Sequence, residues 1–124
     1  MAEWPSGTGE FEVTTDAVSA YVRATGGTWT SGSPVPPTLA SVFSYAAVAA
    51  MPIKDGVVLT GQDFEFHAPI ALGDTLRTSF EVTDEFERRD RAFMVITTRT
   101  VNQHGDLVAI GRITRMLPRT ERAA

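Results

Sequence analysis

The chain has no cysteine. Disulfides, thiolate metal sites and cysteine nucleophiles are excluded at once. Histidine is almost as scarce. Only His67 and His104 occur, far apart and in no HxH or HExxH pattern, so a metal centre is not expected. No apolar run is long enough to span a bilayer, since the longest, Ala46 to Met51, is short and alanine-rich. The opening "MAEWPSGTG" lacks the basic and apolar regions of an export leader. A cytoplasmic protein without a membrane partner is the expectation.

Lysine is represented by Lys54 alone, and the formal net charge is −4. That balance argues against nucleic acid, because phosphate binding needs clustered cations. Eight of the eleven basic residues do lie between Arg88 and Arg122. The simpler reading of that strip is charge alternating on solvated strand faces. Two nucleotide and hydrolase signatures are missing as well. "SGTGEF" has two glycines but no third and no following helix, and no GxSxG elbow occurs.

What remains is one domain, residues 1–124, with an ordinary hydrophobic content of 43%. Its core would be modest, and a sheet face or edge would be left for another chain to cover. A weak strand is expected around Glu10 to Val13. Helix one reads Thr15 to Thr25, capped by Thr15 or Asp16, with Val18, Tyr21, Val22 and Thr25 as its buried stripe. Gly26 supplies the left-handed stop. A loop rich in Gly, Ser and Pro leads to helix two, Pro37 to Met51, which opens on proline and ends at Pro52. Its expected stripe is Leu39, Val42, Phe43, Ala46, Ala47 and Ala50. Ala40, Tyr45, Val48 and Ala49 make the other faces apolar too, and only Ser41 and Ser44 break the pattern. A helix apolar nearly all round is surrounded by protein.

Beyond Gly56 the pattern changes to a period of two. "GQDFEFHAPI" sets Phe64, Phe66 and Ala68 against Asp63, Glu65 and His67. "TLRTSFEVTDEF" sets Leu76, Thr78, Phe80 and Val82 against polar neighbours. "AFMVITTRTV" and "LVAIGRITRML" flank "NQHGD" as a hairpin. Four long antiparallel strands and one helix apolar all round have an economical solution. The predicted class is α+β, a hot-dog fold, in which a curved antiparallel sheet wraps a central buried helix. Its edge strand favours pairing with a second chain.

Candidate chemistry is sparse. Asp63, Glu65 and His67 share one strand face, where a carboxylate–histidine acid–base cluster is conceivable. Same-face alternation brings such residues together automatically, so a solvated strand face explains them as well. His104 reads as a turn residue. The amino end of helix two, at Pro37, Thr38, Leu39 and Ala40, offers free amides and a partial positive charge to a bound carbonyl. Capping by Thr38 or Ser33 is the equal alternative.

"VPPTLASVF", "LTGQDFEFHAPIALGDTL" and "EVTDEFERRDRAFMVITTRTVNQHGDLVAIGRITRML" together resemble the MaoC-like acyl dehydratases and (R)-specific enoyl-CoA hydratases. The likeness is strongest to the FAS1-like dehydratase half and covers about residues 11–117. It implies a hot-dog dimer or double hot dog, an acyl-CoA or other acyl-thioester substrate, and enoyl-thioester hydration or its reverse. No cofactor or metal is implied. The family's active members carry G-D-x-N-P-x-H after helix one, whose Asp and His hold a water and move its protons. Here Gly26 matches the glycine, and Gly27 stands at the aspartate. A gapless alignment puts Trp29 at the asparagine and Gly32 at the histidine. Aligning "SPV" with N-P-x puts Pro36 there instead. Neither alignment restores an acid or a base.

The resemblance therefore implies a non-catalytic subunit of a heteromeric hydratase or dehydratase in lipid metabolism, paired with a MaoC-like catalytic chain. Val35, Pro36, Pro37 and Thr38 would line its half of the acyl-CoA tunnel, and Arg88, Arg89 or Arg91 would meet CoA phosphates. Two alternatives stay open. One is a self-sufficient homodimeric hydratase or thioesterase using His67, Asp63 or Glu65, and the other is an acyl-CoA-binding module without turnover.

Overall fold

The computed structural model describes residues 4–49, 51 and 56–119. Its strands are β1 (Gly7–Glu12), β2 (Val58–Phe66), β3 (Thr75–Arg88), β4 (Arg91–Val101) and β5 (Leu107–Met116). They form one five-stranded sheet in the order β1-β3-β4-β5-β2. Every neighbouring pair is antiparallel. Between β1 and β2 come helix α1 (Thr15–Ala24), a 3-10 turn (Pro37–Leu39) and helix α2 (Ala40–Val48). Leu76, Phe80, Met94, Ile96 and Ile113 line the face of the sheet that receives α2. This is the hot-dog arrangement.

The turns follow from residue chemistry. Arg89 and Asp90, both at positive φ (51° and 63°), form the two-residue turn between β3 and β4. Between β4 and β5, Asn102 Oδ1 accepts from the amides of His104 and Asp106 at 2.9 and 3.1 Å. Gly105 takes the left-handed φ of 82° that closes this hairpin.

Several elements depart from the sequence expectation. β1 starts at Gly7 rather than Glu10, because pairing with β3 stabilises a stretch with little strand propensity of its own. Helix α1 is capped by Thr14, whose side chain accepts from the Ala17 amide at 3.1 Å. Thr15 and Asp16 already lie inside the helix. Of the expected stripe, Val18 is fully buried, Tyr21 and Val22 are half-buried, and Thr25 is exposed as the C-cap.

Helix α2 is shorter than expected, because the prolyl start closes as a 3-10 turn. The expected stop at Pro52 lies outside the described residues. Its buried residues are Ala40, Phe43, Ser44, Ala47 and Val48, with Leu39 just before it. Val42 and Ala46, expected inside, are exposed, and Ala50 lies outside the described residues. With apolar residues on every side, the pattern could not set the rotation. Contact with the sheet set it. Gly9 on β1 is decisive, since a Cβ there would lie 2.9 Å from the Ala47 Cα.

Two apolar clusters mark the ends of α2. Leu39, Ala40 and Phe43 pack with Val13, Val18, Ile70, Leu76 and Val108 at its start. Ala47 and Val48 pack with Phe80, Val82, Ala92, Met94 and Leu117 at its end. The opposite flank of α2 is open: Tyr45 is 51% exposed, and Ala46 and Ala49 are exposed beside it. A helix expected to be enclosed is enclosed on one side only.

Candidate functional site

The loop from Gly26 to Pro36 packs over the start of α2. The indole Nε1 of Trp29 donates to the Pro34 carbonyl at 3.1 Å, and the half-buried Trp29 and Val35 rest on the cluster around Leu39. Thr30 and Ser33 hydroxyls meet at 3.1 Å. Tyr21 Oη donates to Thr38 Oγ1 at 2.8 Å. No side chain caps the 3-10 turn or α2, so neither Thr38 nor Ser33 plays that part. Pro37 and Thr38 are exposed, and Val35 and Pro36 are half-buried. From Ala24 to Ser44 the sequence holds no titratable side chain.

The other expected residues lie elsewhere. Asp63 and Glu65 point away from α2 and face Arg112 of β5, at 3.6 and 3.3 Å. These pairs are well exposed, where an ion pair contributes about 0–1 kcal/mol. His67 follows β2 on the surface, its amide bonded to the Val108 carbonyl at 2.8 Å. Arg88 and Arg89 are exposed at the β3–β4 turn, with the Arg88 guanidinium 5.7 Å from the centre of the Phe86 ring. Arg91 donates to the Leu117 carbonyl at 3.1 Å. That turn adjoins the cluster at the end of α2, whereas Val35 to Thr38 stand at its start. Within one chain the arginines and the proline loop therefore do not form a single site. His104 sits exposed in its turn.

Nothing in the local pattern signals a second region, the open side of α2 facing β5 and β2. β2 is an edge strand, so its inward residues lie beyond the cover of the helix. Phe64 is half-buried and Phe66 is 45% exposed, although the alternation made them a dry face, and Leu59 on the same strand is 57% exposed. Tyr45, Val57, Leu59, Gln62, Ile113 and Arg115 enclose a cleft of about 180 Å³ here. Arg115 is only 6% exposed. Burial lowers the pKa of its guanidinium, and nearby Tyr45 opposes that shift. Deeper in, Thr78 and Thr100 hydroxyls pair at 2.7 Å, while Ser44 Oγ and Thr98 Oγ1 are buried without a partner.

Among the described residues no group of histidines and carboxylates is placed to hold a metal ion. No described helix is long and apolar enough to cross a membrane.

The model of the FAS1-like dehydratase domain region matches residues 2–110. The chain belongs to that family. The MaoC-like resemblance read from the sequence agrees with this membership. The (R)-specific enoyl-CoA hydratase of Aeromonas caviae is 35% identical over 80 residues, a match spanning 64% of this chain and 58% of that protein. The chain thus matches little more than half the length of this curated relative. Two solved structures share the fold. R-hydratase PhaJ1 from Pseudomonas aeruginosa superposes with a TM-score of 0.74 at 18% identity, covering 95% of this chain and 83% of that one. The HadBC (3R-hydroxyacyl-ACP dehydratase) complex from Mycobacterium tuberculosis gives 0.77 at 18% identity, over 94% and 98%. The dehydratase-region model thus accounts for most of this chain, and the segment between α1 and α2 lies within the matched residues.

Proposed function

We propose that this chain is a non-catalytic subunit of an enoyl-thioester hydratase or dehydratase, docked against a second hot-dog chain that supplies the acid and base. One observation carries the reading. The segment between α1 and α2 presents no group able to exchange a proton, in a chain whose family performs dehydratase chemistry. Adding water across a conjugated double bond needs a base for the water and an acid for the α-carbon. Each positioned group contributes on the order of 10²–10⁴-fold in rate. Glycine, tryptophan and proline supply neither.

Exposed side chains support the docking. Val42 and Tyr45 on α2, with Leu59 and Phe66 on β2, form an apolar flank beside an unpaired strand edge. A second sheet laid against β2 would satisfy that edge and cover the flank. The acyl-thioester would then lie between the chains, its carbonyl over the uncapped start of α2 and Val35 to Thr38 along one wall. Contact of CoA phosphates with Arg88 or Arg89 would come from the tunnel of the second chain, since those residues stand at the other end of α2.

The test is hydration of a short enoyl-CoA by the purified chain, alone and after co-expression with a hot-dog protein carrying an intact Asp–His pair. No turnover alone and turnover in a co-purifying complex are expected. Full turnover by the isolated chain would overturn the reading. In that event His67→Ala separates a histidine-based mechanism, which it would abolish, from any other.

A further inference from the structure

Arg115 is the only charged residue buried among the described residues. It lies on β5 opposite Leu59 of β2, on the inward face between the buried Ile113 and Leu117. Other arginines find carboxylates at the surface: Arg77 meets Glu10, Arg112 meets Asp63 and Glu65, and Arg119 meets Asp90. The Arg115 guanidinium makes no hydrogen bond or ion pair among the described residues. Asp63 and Glu65, close by on β2, are turned to the opposite face of the sheet.

A guanidinium remains charged in any protein environment, and burying it unpaired is costly. That cost is offset when an anion arrives. The cleft is suited to one of a particular shape. Val57, Leu59 and Ile113 give it apolar walls, Tyr45 interacts with the cation, and Gln62 adds a second polar side chain to the lining. Tyr45 and Leu59, each about half exposed, rim the opening, and Arg115 lies at its floor. A volume of about 180 Å³ admits the end of a slender chain. Tyr45 is six residues beyond Leu39, about 9 Å along the helix at 1.5 Å per residue. Val42 forms the apolar surface between the start of the helix and the cleft.

We propose that this cleft receives the far end of the acyl chain and selects thioesters that terminate in a carboxylate, held against Arg115 with Tyr45 and Gln62 beside it. The assignment rests on the acyl-thioester reading above and adds the chemical class of substrate. The ionised carboxylate accepts the charge-assisted hydrogen bonds that the guanidinium otherwise lacks. A methyl-terminated chain of equal length would leave the cation buried and unpaired.

Calorimetric titration of the chain, and of its complex with the catalytic partner, compares decanoyl-CoA, its ω-carboxylated analogue (the monothioester of sebacic acid) and free CoA. The ω-carboxylated thioester is expected to bind about tenfold or more tightly than decanoyl-CoA. Arg115→Met should erase that preference, Arg115→Lys should keep part of it, and Tyr45→Phe and Gln62→Leu should each reduce it. The last two keep the test valid should Arg115→Met fail to fold. Equal affinity for the two thioesters in the parent chain overturns the proposal while leaving the acyl-thioester reading standing. Binding of neither thioester beyond free CoA overturns both. If Arg115→Met releases the partner chain and leaves the ω-preference intact, Arg115 is a counter-ion across the interface and the proposal falls.

Discussion

Gly111 shows how closely single residues are constrained in the centre of the sheet. A Cβ at this position would approach Thr98 Oγ1 to 2.6 Å and the Phe64 ring to 2.7 Å. Gly111→Ala must push a buried hydroxyl or the edge-strand aromatic aside, and a loss of about 1–3 kcal/mol is expected in urea unfolding. Thr14 presents a simpler case. Thr14→Ala removes the cap of α1 and should cost about 1 kcal/mol by the same measurement. Arg115 differs in sign. With no ligand or partner bound, Arg115→Met replaces an unpaired buried cation by an apolar side chain, so the isolated chain should melt at an equal or higher temperature. A clear fall would mean that the guanidinium has a partner in the free chain. None of these three roles is visible in local sequence. "TRM" reads as ordinary alternation, and Thr14 looks no better a cap than Thr15.

At the level of elements, α2 and β2 behave differently from the pattern that announced them. Strong alternation in β3 gave its inward residues correctly, because that strand is central and its two faces meet unlike surroundings: Leu76, Thr78, Phe80 and Val82 are all buried. β2 has the same alternation with Phe64 and Phe66, yet it is an edge strand and its apolar face remains open. Alternation records which face is apolar and says nothing about what covers it. The rotation of α2 has the same origin. If β2 and the flank of α2 are a docking surface, Leu59→Lys with Val42→Asp should abolish co-purification with the catalytic chain. The far-ultraviolet circular dichroism and melting temperature of the isolated chain should change little, because both side chains are exposed there. Retained association would show that the partner docks elsewhere.

For the whole molecule, the exposed apolar flank bears on stability as well as assembly. A partner that binds only the folded chain raises its melting temperature in proportion to the logarithm of partner concentration. The expected outcome is a melting temperature that climbs as partner is added to the mixture and stays constant when the chain is diluted alone. A melting temperature unaffected by partner would contradict the subunit reading. The uncapped helix start and the arginine turn belong to opposite clusters of the core, at the two ends of α2.

The order of elements, the antiparallel strands, the hairpin turns and the absence of a titratable side chain from Ala24 to Ser44 were all determined by the sequence alone. Each depends on neighbours a few residues apart, where periodicity, turn chemistry and the presence or absence of an ionisable group are read directly. Three things were decided only in three dimensions: which side of α2 faces the sheet, which strand lies at the edge, and that Arg115 stands buried beside Tyr45 without a counter-charge. Each depends on residues far apart in the chain meeting across the sheet, and no local pattern encodes such a meeting.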